Sequence, residues 1–219
     1  MTGERIPVVG LLGGQWFGRA AEAALRSADV LLGHADQFAL LDPTIPGERV
    51  ELWGDLEAVL DRAVAERDAG RRPCVLAAGD PGFHGLVRVA ARRLGPAGLE
   101  VHPAPSSVAV AFARLGDAWD DAVVASTHRL DADGVVAAVA GNPKVAVLTS
   151  RRLPPAALGA ALVAAGCPDR DVAVCSRLCE PAERVVRTDL AGLAAGDFDH
   201  LSVVVLRARA TGPEAGPLT

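Results

Sequence analysis

The sequence predicts two consecutive α/β domains, and three observations predict this class. Short runs rich in Val and Leu alternate with alanine-rich amphipathic segments, a pattern typical of crossover units on a largely parallel sheet. Pro103, Pro105 and Gly116 punctuate the middle of the chain. A length of 219 residues allows one large domain or two modest ones, and the break favours two. A cleft between the two halves is the expected ligand site.

The first half shows the alternation from its start. An apolar run begins at Ile6, which predicts a first strand. Further on, Leu56, Leu60 and Ala63 recur at helical spacing with charged residues on the other faces, so this helix is expected to pack on a core. The expected elements are strand 5–11, helix 17–27, strand 29–33, helix 55–69, strand 73–78, helix 84–94, strand 98–102 and helix 106–115.

The second half repeats the pattern and ends in a segment of different composition. Its expected elements are strand 122–126, helix 133–140, strand 144–149, helix 154–166 and strands 171–175, 184–188 and 202–206. The sequence thus predicts an N-terminal domain over 1–114 and a C-terminal domain over 115–209. The last residues, 210–219, read ATGPEAGPLT, and this Gly- and Pro-rich composition predicts a flexible tail.

Composition excludes several kinds of chemistry. Aromatic residues make up 4% of the chain and tyrosine is absent, so no tyrosine acts as a general acid. The single lysine, Lys144, precedes the apolar run VAVLT and not a glycine-rich loop, which leaves a P-loop without its lysine. A net charge of -5 and a pI near 5.5 argue against nucleic acid as a partner, because phosphate backbones are held by clustered cations.

The sequence also argues against a membrane span, export and a metal site. The longest uncharged stretch, Leu153 to Pro168, is 16 residues long, which is short of a span. No small-residue cleavage site follows the apolar residues near the N-terminus, so the cytoplasm is expected. Of the four cysteines, Cys175 and Cys179 form the close pair, and no histidine stands within twenty residues of them. Reduced, structural cysteines and no metal are therefore expected.

The most informative segment is the turn Gly79-Asp80-Pro81-Gly82, where a short apolar run stops. The glycines allow positive φ and close approach to a bound molecule, and Pro81 presets a first helical turn. Asp80 is suited to capping that turn or to gripping a ligand hydroxyl. An ordinary connection from strand to helix is the alternative.

A second such segment is Ser106-Ser107, which follows two prolines and stands where a helix should begin. Hydroxyls at a helix N-terminus cap it or bind a ligand. Either use is compatible with the residues of this segment alone.

Together, these segments resemble those of the tetrapyrrole methylase family. The stretches VVGLLGGQWFG, LAAGDPGFHG, PAPSS, EPAERVVRTDL and HLSVVVL occur in that family's order and spacing, and the resemblance spans roughly residues 5 to 207. Within the family the chain is most similar to the precorrin-6Y C5,15-methyltransferases of cobalamin biosynthesis, through AFARLGDAWDDAVV, KVAVLTSRRLPPAALGAALVAAG and CEPAERVVRTDLAGLA.

The resemblance implies that the chain binds S-adenosylmethionine, with S-adenosylhomocysteine as the product. Carried over position by position, it assigns Gly79 and Asp80 to the amino acid and ribose parts of the cofactor. The remaining implied cofactor contacts are Phe83, Ser106, Ser107, Thr149, Leu201 and Ser202.

The substrate side of the site follows from the carboxylates that a tetrapyrrole carries, which arginines are suited to bind. Gly10, in the first loop, is assigned there, with a flexible surface loop as the alternative. The candidate arginines follow predicted strand ends, and surface solubility is their alternative role. They are Arg129, Arg151, Arg152 and Arg177.

Two departures from the family pattern keep a second function open. Leu12 replaces a glycine of the first loop, and Ser176-Arg177 stands where relatives carry Glu-Asn. The alternatives are a cofactor-binding scaffold without turnover and a methylase of the same family with another tetrapyrrole substrate.

The implied chemistry is methylation at carbon 5 of precorrin-6Y or its cobalt counterpart. A sulfonium methyl is already activated and the bridge carbon is nucleophilic, so the protein must mainly align the two. No residue is identified as a catalytic base. Kinship further implies a homodimer and a separate protein for methylation and decarboxylation at carbon 15.

Overall fold

The computed structural model describes residues 5–52, 56–83 and 85–209. Internal contacts divide the chain into two compact units, one ending at Ser107 and the other beginning at Val108. This division lies at the start of a helix, Ser107–Leu115, whereas the sequence-based boundary after residue 114 lies near the end of the same helix. Residues 55 and 84, where two helices were predicted to begin, and the predicted tail 210–219 lie outside the described residues.

The first unit is a five-stranded parallel sheet with helices on both faces. Its strand order is β3-β2-β4-β1-β5, and every pair is parallel, as the alternation of strands and helices predicts. The elements are β1 (Ile6–Leu11), α1 (Arg19–Ser27), β2 (Val30–Gly33), α2 (Ala35–Leu40), β3 (Glu48–Glu51), α3 (Leu56–Asp68), β4 (Pro73–Ala78), α4 (Leu86–Leu94) and β5 (Leu99–His102).

Two apolar clusters cover the two faces of this sheet. Because successive side chains of a strand point to opposite faces, Val8 and Val9 belong to different clusters. Val9 packs in the cluster that includes Leu25 of α1. Val8 packs in the cluster that includes Leu60 of α3 and Leu86 of α4. Helices α1 and α4 therefore lie on opposite faces of the sheet.

The second unit is a mixed five-stranded sheet of order β6-β7-β10-β8-β9. Strands β6 and β7 are parallel, while β10 runs antiparallel to β7 and β8, and β8 to β9. The elements are α5 (Ser107–Leu115), β6 (Val123–Ser126), α6 (Ala132–Ala140), β7 (Lys144–Leu148), α7 (Pro155–Ala164), β8 (Arg170–Ser176), β9 (Arg184–Thr188), α8 (Leu190–Ala195) and β10 (Ser202–Ala208). Helices α6, α7 and α8 pack with the sheet in one apolar cluster.

Among the described residues, the sequence did not predict the helices α2 and α8, the strand β3 or the short 3-10 helix Pro96–Gly98. Helices α2 and α8 have 6 residues each, too few for a helical repeat to stand out. Strand β3 reads ERVE and is mostly exposed at the edge of its sheet, so it lacks an apolar run. The signal for α8 was local, because Asp189 accepts a hydrogen bond from the Gly192 amide and caps the helix.

A buried arginine closes the C-terminal end of α6. Arg170 is 4% exposed, and its guanidinium donates to the carbonyl of Val139 at 2.6 Å and to that of Asn142 at 2.8 Å. The last carbonyls of a helix have no partner within the helix and carry partial negative charge. Arg170 supplies both donors and a positive charge there.

Candidate functional site

In the first unit, three chain segments converge at the carboxyl ends of the central strands. A Cβ atom placed on Gly10 would lie 2.2 Å from the carbonyl oxygen of Gly79 and 2.8 Å from the amide nitrogen of Ala104. The Gly79 amide also donates to the Leu11 carbonyl at 2.7 Å. Only glycine at position 10 lets the ends of β1 and β4 and the segment after β5 come this close.

The convergence lies where the topology of a parallel sheet places ligands. Strands β1 and β4 are neighbours, and the helices that follow them lie on opposite faces. Connections that leave in opposite directions open a crevice at the carboxyl ends of the strands, and ligands of open α/β sheets bind there. The loops that line this crevice start at Leu12 and at Gly79.

The turn after β4 is held by its own aspartate. One oxygen of the Asp80 carboxylate accepts a hydrogen bond from the Gly82 amide at 2.8 Å. The Phe83 amide donates to the Asp80 carbonyl at 3.0 Å, and Gly79 has a φ of 65°. Asp80 is half-buried, and its second carboxylate oxygen makes no hydrogen bond to the described part of the chain. The carboxylate thus builds the turn with one oxygen, while the other has no hydrogen-bond donor among the described residues.

The structure brings the serine pair to the same place. A Cβ atom on Gly79 would lie 3.8 Å from the Ser107 amide nitrogen and 3.9 Å from the Ser106 Cα. Both serines are half-buried, next to buried Ala104. Two segments that stand more than twenty residues apart in the sequence, and were singled out independently, are therefore neighbours.

The first loop is a tight turn. The amide of Leu12 donates to the Gln15 carbonyl at 3.0 Å, and the amide of Gln15 donates to the Leu12 carbonyl at 3.1 Å. Gly13 and Gly14 have φ of 57° and 79°, which is the type I′ pattern that glycines favour. The side chain of Leu12 is buried. The leucine at this family glycine position therefore packs into the protein.

In the second unit, the predicted residues Thr149, Leu201 and Ser202 lie together where β7 ends and β10 begins. The Thr149 hydroxyl lies 2.8 Å from the His200 carbonyl oxygen, to which it donates, and accepts from the Ser202 amide at 3.0 Å. The Ser202 hydroxyl donates to the Asp199 carbonyl at 2.7 Å. Both hydroxyls are buried and serve internal bonds, whereas Leu201 is 55% exposed.

The four candidate arginines differ in what holds them. Arg152 donates to the carbonyls of Thr127 and Leu130, at 2.9 and 2.6 Å. The pKa of His128 is lowered mainly by burial of the imidazole and, to a smaller extent, by the charge of Arg152. Arg177 forms ion pairs with Glu180, at 2.6 Å, and with Asp199, at 3.5 Å.

Arg129 and Arg151 are exposed. Neither guanidinium is paired within residues 5–52, 56–83 and 85–209. No described acidic side chain therefore neutralises either of these two arginines.

The sequence reading missed a pair of buried hydroxyls beside these arginines. Thr127 follows β6 and donates to the hydroxyl of Ser150, which follows β7, at 2.7 Å. Both side chains are buried. The available signal was the position of each, directly after a predicted parallel strand, since such ends meet at one edge of a sheet.

The loop between β8 and β9 carries the backbone strain of the second unit. Arg177 and Cys179, with φ of 50° and 63°, are the non-glycine residues with positive φ in the part of the chain that the structure describes. Glu183 accepts the Cys179 amide at 2.7 Å and binds Arg114 at 2.5 and 3.1 Å. The bond to Arg114, and then that to the Cys179 amide, lowers the pKa of Glu183.

Cys179→Gly is expected to stabilise the protein by about 1 kcal/mol. A left-handed backbone costs an L-residue roughly 1–2 kcal/mol, and the greater freedom of unfolded glycine offsets part of the gain. Chemical denaturation measures the change. Cys167→Gly, at a half-buried position that packs on the α6–α8 cluster, is the control and should destabilise. A Cys179→Gly variant no more stable than the parent would contradict the argument.

The cysteines form no disulfide, and the described residues contain no group of side chains suited to a metal ion. All four thiols are unpaired, and burial raises the pKa of Cys74 to about 12 and that of Cys175 to about 11. Within the described ranges, no three His, Cys, Asp or Glu side chains are grouped to hold a metal ion. None of the described helices is long and apolar enough to cross a membrane.

Comparison with known proteins gives the family. The family model of tetrapyrrole (corrin/porphyrin) methylases matches residues 9–194. The chain belongs to this family. A tetrapyrrole methylase from Salmonella typhimurium named cobalt-precorrin-7 C(5)-methyltransferase is 31% identical over 193 residues, which cover 87% of the chain and 92% of that protein. The resemblance found in the sequence is thereby confirmed.

A longer relative matches only in part. Precorrin-6Y C(5,15)-methyltransferase [decarboxylating] from a Sinorhizobium species is 32% identical over 194 residues, which cover 89% of the chain but 46% of that protein. The chain therefore spans about half the length of this tetrapyrrole methylase.

Solved structures show the same fold. A precorrin-6Y methylase of cobalamin biosynthesis from Archaeoglobus fulgidus matches with a TM-score of 0.72 and 21% identity, over 95% of the chain and 100% of that structure. The uroporphyrin-III C-methyltransferase of Thermus thermophilus, solved with S-adenosylhomocysteine, matches with a TM-score of 0.69 and 21% identity, over 93% and 92%. The prediction of two α/β domains of tetrapyrrole methylase type is confirmed.

Proposed function

We propose that the chain is an S-adenosylmethionine-dependent C-methyltransferase that methylates carbon 5 of a precorrin-6Y or cobalt-precorrin tetrapyrrole in cobalamin biosynthesis. The observation that carries the proposal is the convergence of Gly10, Gly79 and the segment Ala104 to Ser107 in the crevice between β1 and β4. The chain is similar to 92% of the length of a relative that is named for methylation at carbon 5. This similarity supports carbon 5 as the position that receives the methyl group.

The residues of the crevice fit the cofactor. Gly10 and Gly79 carry no side chains, so a ligand can approach the backbone closely. Asp80 offers a carboxylate oxygen for hydroxyl or ammonium groups, and the backbone of Ser106 and Ser107 lies next to Gly79. We assign the cofactor to these residues, and from the resemblance we also propose cofactor contacts for Phe83, Thr149, Leu201 and Ser202. When bound, the cofactor supplies an activated methyl group.

The protein's part in the reaction is alignment and exclusion of water. No nucleophilic side chain is needed, because a sulfonium methyl is already activated towards a nucleophilic bridge carbon. Holding both reactants at about 3 to 3.5 Å removes most of the entropic barrier. The turn at Asp80 and the tight loop at Leu12 are fixed by internal hydrogen bonds, so neither has to order when the ligands bind.

We assign Arg129 and Arg151 to the carboxylates of the substrate. Their guanidinium groups are exposed at the ends of β6 and β7. Arg152 supports Arg129, because its bonds to the carbonyls of Thr127 and Leu130 hold the turn that carries it. We also assign Gly10, at the end of β1, to the substrate side of the crevice.

We further propose the setting of the enzyme. It acts in the cytoplasm as a homodimer, and a separate protein carries out the methylation at carbon 15 and the decarboxylation for which the Sinorhizobium relative is also named. Kinship supports the dimer.

Transfer of label from methyl-labelled S-adenosylmethionine to the tetrapyrrole tests the function. The purified protein alone is expected to label the precorrin at carbon 5, as mass spectrometry and NMR of the product will report. Binding of S-adenosylhomocysteine without transfer to the precorrin or to uroporphyrinogen would favour a scaffold. Transfer to uroporphyrinogen in preference to the precorrin would favour another substrate.

Two substitutions of Asp80 test the cofactor site by calorimetry. Asp80→Asn keeps the oxygen that accepts the Gly82 amide but removes the charge, so it should bind S-adenosylhomocysteine about tenfold more weakly at unchanged stability. Asp80→Ala loses the turn as well and should show no measurable binding. Equal affinity of Asp80→Asn and the parent would refute the role of the carboxylate.

A further inference from the structure

A buried network ties one turn of the second unit to two strand ends. The turn is Asp199 to Ser202, called here the 199–202 turn, which precedes β10. Thr149, after β7, donates to the His200 carbonyl. Ser176, the last residue of β8, shares a hydrogen bond of 2.7 Å between its hydroxyl and that of Ser202, and both serines are buried.

Arg177 reinforces the same turn from outside. Its guanidinium lies 2.6 Å from the Glu180 carboxylate and 3.5 Å from that of Asp199. Asp199 in turn accepts the Leu201 amide at 2.9 Å. The side chain of Arg177 therefore orients the carboxylate that fixes the backbone of Leu201.

The backbone of Arg177 is strained, and the strain is maintained by these contacts. A φ of 50° is unfavourable for an arginine, and such residues persist only where the surroundings determine them. Observed strain of this kind is found at ligand-binding elements more often than elsewhere.

What the network holds in place is an exposed apolar side chain. Leu201 is 55% exposed, the highest value for a large apolar side chain among the described residues. Its amide nevertheless donates to Asp199, and the residues before and after it are hydrogen-bonded to Thr149. A rigid apolar residue makes a preformed contact, because little conformational freedom is lost when a ligand covers it.

We propose that Ser176 and Arg177 are positioning residues that hold the 199–202 turn in the form that binds the cofactor. This inference rests on the proposed function and deepens it, since it assigns cofactor affinity to two residues that do not touch the cofactor. Arg177 thereby has a supporting role, with its charge balanced by Glu180 and Asp199, in place of a contact to substrate carboxylates. The Ser-Arg pair is then a different support for the site and not a sign of lost turnover.

Affinity for S-adenosylhomocysteine, measured by calorimetry, tests the proposal with Arg177→Ala, Ser176→Ala and a control. We expect Kd to rise five- to tenfold in Arg177→Ala and two- to fivefold in Ser176→Ala. In turnover, KM for the cofactor should rise more than kcat falls. Arg177→Lys should recover part of the affinity. The control is Arg184→Ala, an exposed arginine in the strand beside Ser176, and it should bind like the parent.

A double-mutant cycle separates positioning from general weakening. Asp199→Asn combined with Arg177→Ala should weaken binding no more than the stronger single change, because both break the same link. If the parent binds S-adenosylhomocysteine and Arg177→Ala binds equally well, the inference is overturned while the proposed function stands. If the parent does not bind it, the proposed function itself fails. If Arg177→Ala lowers Tm by more than about 5 °C, its affinity also reflects lost stability. The affinities of Arg177→Lys and Ser176→Ala then test the inference, which is overturned if both bind as well as the parent.

Discussion

Gly10→Val is expected to abolish binding of S-adenosylhomocysteine and to lower the free energy of unfolding by about 3 kcal/mol. The first added carbon would already lie 2.2 Å from the Gly79 carbonyl oxygen and 2.8 Å from the Ala104 amide nitrogen. Both are backbone atoms, so no rotamer change can relieve the contact. Overpacking typically costs 1–3 kcal/mol, and pushing β1 from β4 here also displaces the turn at Asp80.

Calorimetry and chemical denaturation of the same preparation measure the two effects. Gly141→Ala is the matched control, because Gly141 has φ of -83° and helical geometry at the end of α6, and it should change both quantities little. Gly10→Ala provides a milder form of the same change if the valine variant does not fold. Undiminished affinity in Gly10→Ala would show that the ends of β1 and β4 do not form the site.

Arg170→Met is expected to lower the free energy of unfolding by about 3 kcal/mol. Methionine approximates the volume of the arginine stem but leaves the carbonyls of Val139 and Asn142 without their donors. Hydrogen bonds to a charged group contribute about 1.5–3 kcal/mol, and unsatisfied buried carbonyls add a desolvation cost. Because burying the guanidinium charge is itself unfavourable, removing it offsets part of this loss of stability.

Urea denaturation of Arg170→Met, with Arg209→Met as control, checks this value. Arg209 is exposed and pairs with Asp169 and Asp171, and exposed ion pairs contribute less than about 1 kcal/mol. Equal losses in the two variants would mean that the end of α6 does not depend on Arg170. Gly10 and Arg170 lie in different units, so Arg170→Met also shows whether loss of stability alone reduces binding in the crevice.

Most of the first unit could be predicted from the sequence because its signals are local, although α2 and β3 were missed. The runs that form β1 and β4 are continuously apolar, as strands buried on both faces must be. The second unit could be predicted only in part. Its strand positions were correct, but the antiparallel placement of β10 between β7 and β8 follows from pairing across long sequence separations, which periodicity does not encode.

The features of the candidate site also fall into those that local sequence signals identify and those that only tertiary contacts reveal. Gly79, Asp80 and Ser106 could be found because glycine, proline and capping residues mark their own turns. The partners of Arg152 and Arg177 could not be found, since each guanidinium is held by groups from another loop. Their positions after predicted strand ends place these arginines at the carboxyl edge of the sheet. Which of their charges remain unpaired is decided by tertiary contacts.

The crevice stands on strands that have a neighbour on each side. β1 pairs with β4 and β5, and β4 pairs with β1 and β2, while β3 lies at the margin. Interior strands separate only when most of a sheet comes apart, whereas marginal ones fray at little cost. The part of the crevice that β1 and β4 form is therefore as durable as the whole unit, and substitutions in β3, at the far margin, can accumulate without loosening it.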